Sequence, residues 1–128
     1  MKVGYMMRGF EVLFYEKPDG SEPAKEFLQS LNIKMRAKMV RTIELLEKNG
    51  NQLREPESKL IEDGIFELRA KVGTDTSRVM YFFTDGQRAI LTNGFIKKTQ
   101  RTPKAEIEKA KRYRADYLNR KVDYHDQV

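Results

Sequence analysis

The chain has 128 residues, 39% of them hydrophobic, enough for one compact domain with its own core. It has no cysteine and a single histidine, His125, which excludes disulfides, thiolate metal sites, multi-histidine zinc sites and catalysis needing a histidine within the folded body. The net charge of +6 is concentrated, with ten Lys or Arg against three acidic residues from Lys97 to Lys121, a segment of +7 beside a remainder of −1, and it favours an acidic partner.

Residues 1–9 carry no clear pattern, and with residues 121–128 they are expected to be loosely ordered ends of a single domain over 1–128. Phe10 to Glu16 reads as a first strand, broken by Pro18-Asp19-Gly20. Ser21 is placed to cap a helix with Glu22 and Pro23 in its first turn, and Ala24, Phe27, Leu28 and Leu31 fall at helical spacing. Asn32 caps a second helix whose stripe is Met35, Met39, Ile43 and Leu46, with Val40 beside them, and Gly50 stops it. The two helices make a hairpin. Asn51 to Glu57 is a polar loop, and Lys59-Leu60 leads through an Asp63-Gly64 turn into the sheet.

From Ile65 to Val72 the residues alternate: Phe66, Leu68, Ala70 and Val72 face a core, while Glu67, Arg69 and Lys71 face water. Asp85-Gly86 between two apolar runs predicts a type I′ hairpin. Val79, Tyr81 and Phe83 oppose Met80 and Phe82, so this strand is apolar on both sides and belongs in mid-sheet. Pro103 begins a last helix in which Ile107, Ala110, Tyr113 or Arg114, and Tyr117 have helical spacing. The order β-α-α-β-β-β-α predicts an α+β fold, a small antiparallel sheet with helices packed on one face. There is no repeat, no apolar run of the roughly 20 residues that span a membrane and no signal-peptide core in MKVGYMMRGF, so a soluble cytoplasmic protein is expected.

Arg78 stands at the entry of the hairpin, and Lys97 and Lys98 at its exit, with Arg101 and Lys104 just beyond. Neighbouring strands thus present cations together. A guanidinium donates two parallel hydrogen bonds to a phosphate and keeps its proton near neutral pH. A lysine amine becomes usable as a base or acid when neighbouring cations lower its pKa, and Lys97 and Lys98 are crowded in that way. Set against this, Arg69 and Lys71 also read as a solvated strand face paired with Glu67, itself a possible base. Phe95, sharing its strand face with Ala89 and Leu91, reads as core before stacking platform. The methionines are core fillers, and His125 is assigned no function.

The succession KLIEDGIFELR, RVMYF and GFIKKTQRTP, followed by EIEKA, resembles the HigB-like, phage-derived branch of the RelE/ParE toxin superfamily, over about Phe10 to Leu118 and most densely from Lys59 to Ala110. The resemblance implies two N-terminal helices on a small twisted antiparallel sheet with a concave basic face. It also implies a cytoplasmic type II toxin, a metal-independent mRNA endoribonuclease acting on ribosome-bound message without a cofactor. Such a toxin is silenced by a cognate antitoxin, often a helix-turn-helix protein, and occurs as a homodimer or a toxin–antitoxin heterocomplex. Carried over by position, Arg69 and Arg78 are strand arginines facing the RNA, Lys97 and Lys98 are the basic pair, and Phe95 stands where an aromatic stacks on a base. The expected catalytic group is therefore Arg69, Arg78, Lys97 and Lys98, and the expected RNA-binding residues are Lys71, Phe95, Arg101 and Lys104. Asn93 stands where some relatives carry a histidine. The superfamily also contains gyrase inhibitors on the same fold, so a ParE-like inhibitor and a non-catalytic phage-derived nucleic-acid binder remain alternatives.

Overall fold

A computed structural model describes the backbone of residues 10–126 and the side chains of residues 10–120. In chain order it places β1 (Glu11–Phe14), α1 (Pro23–Ser30), α2 (Ile33–Asn49), β2 (Ser58–Glu62), β3 (Ile65–Val72), β4 (Asp75–Thr84), β5 (Arg88–Ile96) and α3 (Lys104–Asp126). The strands form one sheet in the order β1-β5-β4-β3-β2. Its backbone is a meander of tight turns. Asp63 and Gly64 have φ of 49° and 75°, and Asp85 and Gly86 have 53° and 75°, so both pairs adopt the doubly positive φ of a type I′ turn. The predicted hairpin is present at Asp85-Gly86, but Thr84 pairs with Arg88, so its loop takes in Gln87 as a third residue, whereas Asp63-Gly64 closes as a two-residue loop between Glu62 and Ile65.

The fold is the expected α+β class with three departures. Lys59-Leu60 belongs to a full strand, β2, which pairs antiparallel with β3. As the sheet's edge it has one side to satisfy, and its exposed Lys59, Leu60 and Glu62 give no alternating signal. Secondly, β1 pairs parallel to β5, not antiparallel. The α1–α2 hairpin carries the chain from one sheet edge to the other, and the meander then returns to β1. Thirdly, the helices occupy both faces. On one face α1 and α2 bury Leu28, Met35, Met39 and Leu46 against Leu68, Val79, Tyr81 and Leu91. On the other, Ile107 and Ala110 of α3, with Tyr113 and Tyr117, cover Tyr15, Ile65, Met80, Phe82, Ile90 and Phe95.

Polar contacts fix α3 there: Lys111 meets Glu62 at 2.6 Å, Arg114 meets Asp63 at 2.8 Å, and Tyr15 donates to Asp116 at 2.6 Å. Much of α3's basic character is therefore spent on docking. The helix backbone continues past Arg120 to Asp126, while residues 1–9 and 127–128 of the expected loose ends lie outside the described part. Among the described residues no helix is long and apolar enough to cross a membrane.

The caps divide. Asn32 accepts the Met35 N–H at 2.9 Å as expected, but the α1 cap is Glu22. Ser21 is engaged elsewhere, donating its N–H and hydroxyl to Asp19 Oδ1 at 2.9 and 2.7 Å. A further correction lies in β5. Met80 pairs with Asn93 but Tyr81 pairs with Leu91, which leaves Thr92 over as a β-bulge, its hydroxyl on Met80 O at 3.2 Å. One extra residue inverts the alternation, so Leu91 lies in the α1–α2 core while Phe95 lies under α3. Phe95 does not share a face with Ala89 and Leu91. Gly94 now turns toward α1, where a Cβ would sit 2.2 Å from Phe27 Cδ2.

Candidate nucleic-acid interface

Arg69 and Arg78 are direct partners in the β3–β4 register, and Phe95 is the β5 partner of Arg78. Like charges directly opposed across strands destabilise a sheet unless something neutralises them. Glu67, two residues before Arg69 on the same face of β3, does so. Its carboxylate is fully buried. Oε1 accepts from Arg69 Nε at 3.3 Å and lies 3.1 Å from Arg78 Nε, and Oε2 accepts the Thr102 hydroxyl at 2.5 Å. The face expected to be wet is closed at this point, because a buried carboxylate is sustained only by charged partners and hydrogen bonds. With both oxygens engaged, Glu67 acts as the bridge of the arginine pair.

The Arg78 Nε–Glu67 contact is an ion pair off hydrogen-bond alignment, and Arg78 Nη1 reaches Ser77 O at 3.4 Å. Burial holds the Arg78 guanidinium below its ordinary pKa, with Arg69 pushing the same way and Glu67 opposing; it stays protonated near neutral pH. Lys97 continues β5 outward, its N–H on Thr76 O at 3.0 Å and its carbonyl accepting the Thr76 hydroxyl at 3.2 Å. Burial lowers the Lys97 pKa, and Arg78, Arg69 and Lys59 lower it further against Glu67. A lysine with a lowered pKa beside two arginines is an arrangement chemically capable of proton transfer and of stabilising negative charge.

These residues open into a groove of about 760 Å³ lined by Lys59, Arg69, Lys97, Arg101, Thr102 and Lys104. Thr102 ties the loop over residues 97–103 to the same carboxylate that holds the arginines. A family model for phage-derived Gp49-like proteins (DUF891) matches residues 26–115, from α1 into α3, taking in every side chain just named. The chain belongs to the phage-derived Gp49-like family. That family lies in the RelE/ParE-like toxin clan. No curated protein matches the chain.

The Gp49-like chain brings Arg69, Lys97, Arg101 and Lys104 together in one groove, with Arg78 joined to Arg69 through Glu67 but outside that groove's lining. It leaves Lys98 exposed outside the groove lining, Lys71 round the β3 edge, and Phe95 in the core at 8% exposure. Asn93 is buried away from the groove, its amide donating to Glu106 Oε1 at 3.0 Å and its oxygen accepting the Thr92 hydroxyl at 2.7 Å. It brackets β5 to the first turn of α3. Lys59 and Thr102 are groove residues that the sequence reading passed over, although both lie inside quoted motifs, KLIEDGIFELR and GFIKKTQRTP. Among the described residues no three His, Cys, Asp or Glu side chains converge where a metal ion could be held.

Proposed function

We propose that this Gp49-like protein is the toxin of a type II toxin–antitoxin pair, HigB-like in kind, which cleaves ribosome-bound message in the cytoplasm and is silenced by a cognate antitoxin. The observation that carries the reading is the arginine pair held by one buried carboxylate beside a lysine whose pKa is lowered. Metal-independent cleavage of RNA needs the 2′-hydroxyl deprotonated, the charge on the pentavalent phosphate stabilised and the 5′-oxygen protonated as it leaves. In this reading Arg69 and Arg78 take the phosphate charge. Lys97 serves a proton-transfer step, since cations around it raise the fraction of neutral amine at a given pH. In this reading the ribosome supplies the remaining orientation of the message, and activity on isolated RNA is low.

The test is cell-free translation with mapping of message 5′ ends, with and without ribosomes. Cuts confined to translated message, lost in Lys97→Ala and Arg69→Ala, are expected. Intact message with ongoing translation overturns the reading and moves gyrase inhibition, read out in a supercoiling assay, or simple binding ahead of it.

A further inference from the structure

Arg69 lines a second groove. β2 accompanies β3 only as far as Ser58↔Leu68, and the Glu57 carbonyl takes the Arg69 N–H at 2.9 Å. Beyond that point no strand of the described residues lies beside the β3 edge. α2 runs there instead, positioned by the Thr42 hydroxyl on Arg69 O at 3.4 Å. Between them lies a groove of about 490 Å³, lined by Lys38 and Arg41 of α2, by Arg69 and Lys71 of β3, and by Arg78.

Five cations face one acidic residue, Glu57, in this groove. Arg69 is partly neutralised by Glu67 and by the exposed Glu55 at 3.6 Å, and Arg78 by Glu67, whereas Lys38, Arg41 and Lys71 make no ion pair among the described residues. Lys38 and Arg41 are three apart on one helix and so project to the same side. Concentrated positive charge on two rigid elements is self-repelling and draws an anionic occupant. Its planar guanidinium forks suit phosphate, and Arg69 makes the groove continuous with the one beneath residues 97–103.

We infer that the groove between α2 and the open edge of β3 is a second phosphate subsite for single-stranded RNA, taking the nucleotides that flank the phosphate held at Arg69 and Lys97. The strand bends round the β3 edge at Arg69. This rests on the ribonuclease reading and adds the path of its substrate. An acidic protein segment is the competing occupant.

The test uses the full chain and the double variant Lys38→Gln/Arg41→Gln, neither residue being part of the cleavage group. Fluorescence anisotropy measures affinity for a 12-nucleotide single-stranded RNA blocked by 2′-O-methylation across a range of salt. NMR shift titration measures a ribodinucleotide monophosphate, which fills one subsite. Loss of two phosphate contacts is expected to weaken the 12-mer about tenfold regardless of sequence and to flatten the salt slope by about 1.4, with dinucleotide affinity at the Lys97 groove unchanged. An unchanged 12-mer affinity and slope overturns the inference, as does an equal loss for both ligands. Loss of poly-glutamate binding with RNA binding intact also overturns it and assigns the groove to a protein. If the parent chain cuts translated message while the variant binds the 12-mer normally, or while the parent binds no 12-mer, the inference alone fails; if the parent also leaves translated message intact, the ribonuclease reading fails with it.

Discussion

Glu67→Gln keeps the shape of the bridge and removes its charge. In the parent, one carboxylate oxygen lies 3.1 and 3.3 Å from two guanidinium nitrogens, and the other accepts a hydroxyl at 2.5 Å. Removing one member of a buried ionic group costs about 3–5 kcal/mol, because the remaining charges stay buried and uncompensated. The Arg69 and Arg78 side chains are 21% and 11% exposed, so counter-ions reach them, and glutamine still offers an acceptor; the lower end, about 3 kcal/mol, is expected. For a chain of this length that is a fall in Tm of roughly 10 °C, and against a typical stability of 5–15 kcal/mol the variant still folds. Urea titration and calorimetry measure the loss. Arg78→Met added to Glu67→Gln is expected to restore at least half of it by taking away one unneutralised cation, a non-additivity that a double-mutant cycle quantifies. A loss below about 1 kcal/mol, or a double variant no more stable than Glu67→Gln, refutes the argument that this carboxylate holds two opposed cations together.

The Lys97 amine, followed by NMR of its side-chain nitrogen, is expected to titrate at higher pH in Arg78→Ala, since Arg78 is a leading cause of its lowered pKa after burial; a midpoint that stays or falls counts against the cluster. Thr102→Val removes the hydroxyl bonded to Glu67 at 2.5 Å; a loss of about 2 kcal/mol and faster amide exchange in residues 99–102 are expected, and unaltered exchange contradicts the latch. Gly94→Ala places a methyl into the Phe27 ring and is expected to cost about 1–3 kcal/mol by chemical denaturation, whereas a neutral result means α1 yields freely. Tyr15 and Tyr81 have pKa values raised to about 12, in both cases chiefly by burial. Their folded values exceed the unfolded value of about 10, so the stability they contribute is complete below pH 10 and is lost between pH 10 and about 12. Absorbance at 295 nm should show delayed ionisation of these two until unfolding, and Tyr15→Phe should soften the alkaline limb.

The sequence made the turns and the α2 stripe legible because their causes are local. Asp85-Gly86 relaxes into the doubly positive φ of a type I′ turn, and Met35, Met39 and Leu46 recur at the period of one helix face. The arginines were legible through their motifs. What escaped depends on the other side of the molecule. Glu67 looks like a surface acid in an alternating strand, and only the β3–β4 register brings Arg78 against it and only the 97–103 loop brings Thr102. Lys38 and Arg41 look like the solvated face of an amphipathic helix until α2 is laid beside the β3 edge. The phase of Phe95 was lost to a single unpaired residue, which no periodicity count over β5 registers.

That unpaired residue makes β5 two half-strands facing opposite ways. Residues before Thr92 send Ala89 and Leu91 to the helical hairpin, and those after it send Asn93 and Phe95 to α3, with Lys97 carried on toward the groove. With Thr92 present, the bulge is what keeps Asn93 and Phe95 on the α3 face. Substituting Thr92 costs one hydroxyl contact to Met80 and one to Asn93. Deleting it makes Leu91 and Asn93 neighbours in a regular ladder, still opposite Tyr81 and Met80, so Asn93 and Phe95 keep the α3 face and only the bulge and its hydroxyl contacts are lost. Thr92 is therefore a position at which β5 can be shortened without turning its distal half away from α3.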